Sequence, residues 1–362
     1  MKVLVAMSGG VDSSVAAKLI KDMGYNLIGC TMKLYQTPDG VDTERTCCSL
    51  DDTQDARSVC ANLGIPYYVF NYENDFKKTV IEKFIDSYEN GKTPNPCIDC
   101  NKYMKFDKLL SRAKILGCDF IATGHYARIE KEGDKYVLKK ALDKTKDQSY
   151  VLYGLTQENL SCILFPLGNM KKTETREIAE QNEFVNAKKH DSQDICFVPN
   201  GDYASVIEQY SKKTYPHGKF IDKDNNVLGE HKGIIRYTIG QRKKLGIISE
   251  NPLYVCEIQP KTNTILLGEE KLLFAKEAYA EEFNWISGKT PSQAIRCKVK
   301  VRYRQEEQDA YVTPINNGSV KIVFDSPQRA ITPGQAAVLY DGDTVLGGGT
   351  IYKVVPNRDK TN

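Results

Sequence analysis

The first half of the chain alternates short apolar runs with helical patterns. Val3 to Met7 is an unbroken apolar run of strand length, and Ser13 to Met23 carries apolar residues at helical spacing before Gly24 closes it. Leu27 to Met32 predicts a second strand, Asp55 to Leu63 a helix ended by Gly64, and Tyr67 to Phe70 a third strand. A long helix follows at about Asn74 to Asn90, another at Met104 to Leu116 before Gly117, and a further buried strand at Phe120 to Thr123. Strands alternating with helices predict a parallel sheet covered on both faces, with ligands at the carboxyl ends of its strands. The loops to watch are therefore Ser8 to Ser13 and Gly124-His125.

Beyond about Gly201 the texture changes. Asp224-Asn225-Asn226, Asn316-Asn317-Gly318 and Asp341-Gly342 are turn signals between short strand-like runs, so this half is expected to be mostly β. A boundary near Glu270 to Ala280 divides it, giving three expected units: 1–200, 201–275 and 276–362. Ile295 to Arg304 alternates strictly, with Ile295, Cys297, Val299, Val301 and Tyr303 on one face and Arg296, Lys298, Lys300, Arg302 and Arg304 on the other. Five cations along about 15 Å of strand suit a phosphate backbone, although edge strands also carry lysines against aggregation. Gln241 to Lys244 and Lys188 to His190 are further basic clusters.

Composition narrows the class without naming it. The chain has 362 residues, 41% hydrophobic and 27% charged, enough to bury a sizeable core. No apolar run approaches the ~20 residues of a membrane span, and no membrane partner is expected. Met1 to Val5 enters a core strand without a secretory leader, so a cytoplasmic location is expected. The net charge of +3 is too small to announce a nucleic-acid partner by itself. Eleven cysteines in a reducing compartment are unlikely material for a disulfide framework; most are expected to be small buried hydrophobes.

Ser8-Gly9-Gly10-Val11-Asp12-Ser13-Ser14 lies between the first strand and the first helix. Its glycines let backbone amides approach an anion, the serines can cap the helix, and Asp12 can position a magnesium ion. No Gly-Lys-Ser/Thr follows, so this is not a Walker loop. Thr93 to Lys102 places Cys97 and Cys100 at CxxC spacing just before a helix, where a thiolate is favoured. A third cysteine, Cys196, lies in the polar run Asp191 to Phe197. A zinc site would need a second pair, and neither the scattered cysteines, the adjacent Cys47 and Cys48, nor the histidines at 125, 190, 217 and 231 provide one.

The loop resembles the SGGxDS loop of the ATP pyrophosphatase superfamily, which implies ATP cleavage to pyrophosphate and transfer of AMP. The ordered strings TPNPxxxCN, GHYAR (Gly124 to Arg128), KDQSY (Lys146 to Tyr150), DSQDICF, TIGQRKKLGI, VRYRQ and TPGQ make the whole chain similar to the tRNA-uridine 2-sulfurtransferases, or 2-thiouridylases. That resemblance implies an α/β ATP-pyrophosphatase domain with a parallel sheet, of the adenine nucleotide α-hydrolase type, then two smaller mainly β domains, the last a β-barrel. It implies ATP, Mg2+, a tRNA wobble uridine adenylated at its C2 oxygen, and sulfur carried on cysteine. A cysteine desulfurase, a relay protein or sulfide would supply the sulfur.

Carried over residue by residue, Ala6, Met7, Ser8, Gly9, Gly10, Val11, Asp12, Ser13, Met32 and Gly124 would surround ATP. Asn95, Pro96 and Cys97 would face the target base. His125, Lys146, Asp147, Gln148, Arg302, Tyr303 and Gln335 would contact tRNA. Cys196 would carry the persulfide, Cys100 would assist its transfer, and Asp12 would serve the adenylation. Better-known members have aspartate where this chain has Cys97. With that third thiol, Cys97, Cys100 and Cys196 are also a candidate ligand set for a [4Fe-4S] cluster, and both routes stay open at this point. The competing functions are another adenylating synthetase of the superfamily, which needs neither Cys100 nor Cys196, and a tRNA-binding protein without turnover.

Overall fold

The computed structural model describes residues 1–35, 50–191, 195–198 and 201–357; Cys47, Cys48 and residues 192–194 of the DSQDICF string lie outside them. The chain begins β1 (Lys2–Ala6), α1 (Val11–Asp22), β2 (Asn26–Lys33), α2 (Leu50–Asn62) and β3 (Tyr67–Asn71). Then α3 (Glu73–Phe76) runs through a π-helical turn at Lys77–Ile81 into α4 (Glu82–Glu89). Next, α5 (Pro96–Asp99) runs through π-helical Cys100–Lys108 into α6 (Leu109–Ile115), followed by β4 (Phe120–Ala122). A hairpin, β5 (Ala127–Glu132) and β6 (Lys135–Lys140), precedes α7 (Gln157–Ser161), β7 (Ile163–Leu164), α8 (Lys172–Gln181) and α9 (Tyr203–Ser211).

Five strands form the parallel sheet, in the order β3-β2-β1-β4-β7. Side-chain alternation explains why the strands read as continuous apolar runs. Leu4, Ile28 and Ile121 pack with Phe76, Phe84 and Met104 in one buried cluster. Val3, Val5, Leu27 and Ala122 pack with Val15 and Val59 in a second. Val3, Leu4 and Val5 are all fully buried, each such side chain stabilising the fold by about 1.5–3 kcal/mol. No helix among the described residues is long and apolar enough to cross a membrane.

The helix expected from Met104 starts eight residues earlier. Asn95 caps it, its side chain accepting from the Cys97 amide at 3.2 Å, and Pro96 occupies the first position, where its missing N–H is not needed. Cys97 and Cys100 therefore sit on the helix itself, three residues apart and on one side of it.

Downstream, β8 (Gly218–Ile221), β9 (Val227–His231), β10 (Tyr254–Gln259) and β11 (Thr264–Gly268) make a small sheet in the order β10-β11-β8-β9. Then β12 (Phe274–Trp285), β13 (Ile295–Lys300), β14 (Gln308–Ile315), β15 (Ser319–Arg329), β16 (Ala336–Asp341) and β17 (Thr344–Pro356) follow. They run β12-β15-β14-β13-β16-β17, and pairing of β12 with β17 closes them into a barrel. The hairpin β5–β6 joins this sheet through β17, so a piece of the first 200 residues extends the C-terminal sheet.

The alternation from Ile295 ends at Lys300 rather than Arg304. Cys297 and Val299 face the barrel core and Arg296 and Lys298 face out, but residues 301–305 turn. Arg302 swings inward, where Nη2 donates to Ala330 O at 2.9 Å, Thr332 Oγ1 at 2.6 Å and Ile239 O at 3.1 Å. Three acceptors in one place outcompete the extended register, and Arg302 thereby ties the barrel to the small sheet's segment. A second tie joins the barrel to the TPNP turn: Gln335 Nε2 donates to Thr93 O at 2.7 Å, and the Thr93 amide to Pro333 O at 2.9 Å.

Replacing Arg302 by alanine removes the donor shared by Ile239 O, Ala330 O and Thr332 Oγ1. The expected outcome is a loss of about 2–3 kcal/mol and a lower unfolding midpoint by differential scanning calorimetry. An unchanged midpoint would show that the tie is not structural.

Candidate active site

The phosphate loop is held open by two close backbone approaches. Gly9 has φ +77°, and a Cβ there would lie 2.3 Å from Asp52 O. At Gly124, just beyond β4, a Cβ would lie 2.7 Å from the Asp12 carbonyl carbon and 2.8 Å from the Ser13 amide. Both positions need glycine for the loop to lie against its neighbours. Gly10 is the N-cap of α1, so Ser13 and Ser14 are inside the first turn instead of capping it. Their hydroxyls donate back to Gly10 O at 3.0 and 3.1 Å, and Ser13 Oγ accepts from the Ser8 amide at 3.1 Å. From behind, Asn186 Nδ2 donates to Gly9 O and Ser14 Oγ, both at 2.9 Å.

Asp12 is the inner end of a charged chain. Lys172, at the start of α8, reaches Asp12 Oδ1 at 2.6 Å and Asp191 Oδ1 at 2.7 Å, with only a tenth of its side chain exposed. Tyr126 Oη donates to Asp12 Oδ1 at 2.8 Å. Lys146 and Arg176 also reach Asp191, at 2.8 and 2.9 Å. Burial alone would raise the Asp191 carboxyl, but the hydrogen bonds and charges of Lys146 and Lys172 outweigh it and hold the pKa at about 2. Lys146, Lys172 and Arg176 surround Asp191 and Asp12, and this network of pairs fixes the charged groups beside a loop whose amides favour an anion.

Asp12, Tyr126, Lys146 and Asp191 border a cavity of about 870 Å³, whereas Lys172 and Arg176 touch the carboxylates of its lining rather than the cavity itself. Ser8, Gly10, Val11, Asp12, Lys146, Asp147 and Gln148 line it from the first domain, and Lys298, Lys300, Tyr303 and Arg304 line it from the barrel. The volume lies within the range of small-molecule sites. Tyr303 Oη donates across it to Asp147 O at 3.3 Å. The KDQSY segment is fixed to both sides: the Gln148 side chain accepts from the Tyr126 amide at 2.9 Å, and Tyr150 Oη donates to Ala336 O at 2.9 Å. Burial lowers the Lys300 pKa, with Asp147 and Glu307 opposing that shift.

The remaining expected site residues are not part of the cavity lining. His125 is buried between Phe106 and Phe165, with Nδ1 2.6 Å from Thr123 Oγ1 and Nε2 3.4 Å from Lys105 Nζ. Burial, with the Lys105 charge, lowers its pKa well below the usual value, so the ring is neutral and Nε2 accepts from the ammonium. Ala6 and Met32 belong to the sheet, Met7 follows β1 with its amide donating to Cys30 O at 2.7 Å, and Arg302 and Gln335 act as the ties described above. Cys97 is exposed and within electrostatic reach of the Tyr303 hydroxyl, which lines the cavity. Cys100 and Cys196 are half-buried, both packed against the large cluster on one face of the parallel sheet. Phe197 anchors the segment after Cys196 edge-on to Phe76 and Phe84, and Tyr35 Oη donates to Cys196 O at 2.5 Å.

Sequence reasoning missed Lys172, Arg176 and Tyr126 as site residues, and gave Asp191 no role. The available signal was a lysine and an arginine four apart, one helical turn, after the turn that ends in Met170-Lys171. Lys189, grouped above with a basic cluster, is spent internally: its ammonium meets Asp52 and Asp55 at 2.7 Å each.

Comparison with known proteins accounts for the whole length. The family model described as "tRNA methyl transferase HUP domain" matches residues 1–200, the PRC-barrel domain of the same family residues 204–269, and an aminomethyltransferase beta-barrel domain residues 275–351. A tRNA-specific 2-thiouridylase MnmA of Clostridioides difficile is 51% identical over 97% of this chain and 98% of its own. One from Acetivibrio thermocellus is 49% identical over 97% of this chain and 99% of its own. With full-length identity of this order, the chain belongs to the tRNA-specific 2-thiouridylase family.

Proposed function

We propose that this chain activates a tRNA wobble uridine with ATP and replaces the base's C2 oxygen by sulfur carried on cysteine. The observation that carries the reading is a cavity with the Ser8 to Asp12 loop on one side and, on the other, Lys298, Lys300, Tyr303 and Arg304 of the barrel beside Gln305, Glu306 and Glu307. A small-molecule synthetase has no use for that second wall.

In this reading the uridine O2 attacks the α-phosphorus, and pyrophosphate leaves toward the loop amides and Lys146, while Lys172 and Arg176 hold Asp12 and Asp191 in place. A magnesium ion fits the donor set: it would take phosphate oxygens, water and the Asp12 carboxylate, which lines the cavity. The terminal sulfur of a Cys196 persulfide then attacks C2 and AMP departs with the former O2. Attack of the Cys100 thiolate on Cys196 Sγ cleaves the persulfide bond, leaving sulfur on the base and a Cys100–Cys196 disulfide that a thiol must reduce. Asn95, Pro96 and Cys97 face the base, while Lys146, Asp147, Gln148 and Tyr303 meet the RNA. His125, Arg302 and Gln335 serve it by holding the walls in place. A persulfide-forming desulfurase or relay protein supplies the sulfur.

Among the described residues, no three His, Cys, Asp or Glu side chains gather where they would hold a metal ion, and Cys97, Cys100 and Cys196 are no exception. The arrangement does not fit a preformed cluster site, so no step is drawn through one.

Nucleoside mass spectrometry of unmodified tRNA treated with iron-free protein, ATP, magnesium and a persulfide donor should show 2-thiouridine. If product forms only after anaerobic iron–sulfur reconstitution, the persulfide route is wrong; if neither preparation yields it, so is the reaction. Cys196→Ser should retain tRNA-dependent pyrophosphate release yet make no thiolated product. Lys172→Met should slow pyrophosphate release at least 100-fold, about 2.7 kcal/mol of transition-state stabilisation. Release at the parent rate would remove Lys172 from the site.

A further inference from the structure

The loop that follows Thr238 presents Arg242, Lys243 and Lys244 in succession, all three exposed. No ion pair among the described residues involves them, whereas the neighbouring Arg236 and Arg329 are paired with Glu208 and Glu270. The loop is built to hold this presentation. Its root is pinned to β10, the Gly240 amide donating to Val255 O at 2.8 Å and the Val255 amide to Gln241 O at 2.9 Å. The Gln241 side chain accepts from the Thr238 amide at 3.1 Å and donates to Lys243 O at 3.0 Å. Leu245 is buried just beyond, and Lys244 takes φ +63°, a left-handed conformation that costs a lysine about a kcal/mol or more and persists where surroundings impose it.

The root also adjoins the cavity wall. Arg302 donates to Ile239 O, and its guanidinium lies 3.9 Å from where a Cβ on Gly240 would stand. The next two residues after Arg302, Tyr303 and Arg304, line the cavity. The exposed cations of the loop thus stand on a root that Arg302 ties to the segment carrying Tyr303 and Arg304 of the cavity.

We infer that Arg242, Lys243 and Lys244 form a second RNA-backbone contact, which grips the phosphates of a tRNA whose target base occupies the cavity. This rests on the tRNA reading above and adds a binding surface outside the reacting site. Unpaired, exposed and consecutive cations recognise a polyanion by charge, not by base identity. The contact should therefore strengthen tRNA binding without choosing the sequence.

Equilibrium binding of unmodified tRNA, measured from low to moderate salt, tests the inference. The triple variant R242A/K243A/K244A should bind at least tenfold more weakly at low salt. Its plot of log affinity against log salt should be shallower by about two to three, the loss of up to three phosphate contacts. The charge-conserving variant R242K/K243R/K244R should keep both affinity and slope, and all three proteins should share one thermal midpoint. Parent-like affinity and slope in the alanine variant would overturn the inference. So would a loss confined to binding of the persulfide-donor protein, which would assign the loop to a protein partner. Failure of the underlying reading is distinguishable, because the parent itself would then make no 2-thiouridine.

Discussion

The site depends on one ammonium group held between two carboxylates. Lys172 reaches Asp12 and Asp191 from the start of α8, with most of its side chain out of water. Isolated, such a cation would be costly to bury; paired twice, and with Asp191 shared by Lys146 and Arg176, it is held in one place. The chain of pairs runs from Asp12 through Lys172 to Asp191, Lys146 and Arg176. It fixes charged side chains beside the Ser8 to Ser13 loop, and the loop's own shape is secured by the close approaches at Gly9 and Gly124. An anion arriving there meets groups already oriented, which is the condition for electrostatic stabilisation of a leaving pyrophosphate.

Everything else places a second wall opposite that charge. The barrel cannot drift, because Arg302 binds it to the small sheet's segment and Gln335 binds it to the turn that carries Asn95 and Cys97. Tyr150 and Tyr303 cross between the domains in opposite directions, one donating to Ala336 O and the other to Asp147 O. The turn after β13 thus serves two purposes. Arg302 faces inward as a structural tie, and its neighbours Tyr303 and Arg304 face the cavity. The two half-buried thiols, Cys100 and Cys196, rest on one apolar cluster, on elements far apart in sequence.

Much of this was legible from local chemistry. Consecutive apolar residues at Val3 to Met7 can only be a strand buried on both faces, and glycine and serine in the following loop announce an anion site. Turn residues after Gly201 announce the change to β structure. What escaped reading depends on contacts between distant segments. Lys172 and Arg176 have the spacing of an ordinary solvated helix face, and only the fold brings Asp12 and Asp191 to them. Alternation from Ile295 to Arg304 is genuine as a pattern, but three acceptors from elsewhere in the chain pull Arg302 out of it. The hairpin β5–β6 meets the barrel sheet through Thr344 and Lys139, a pairing that no local pattern encodes. Asn95 and Pro96 did carry a helix-start signal, and the helix begins there because cap and proline act together.

The central claim is that the cavity joins ATP to the oxygen that sulfur will replace. Its most direct test follows that oxygen. Transfer RNA carrying ¹⁸O at C2 of the wobble uridine would be thiolated to completion with ATP and a persulfide donor, and the products weighed by mass spectrometry. The account predicts one ¹⁸O in AMP for each 2-thiouridine formed, with none in pyrophosphate. Unlabelled AMP accompanying labelled water would contradict it, because the oxygen would then have left without ever being joined to phosphorus.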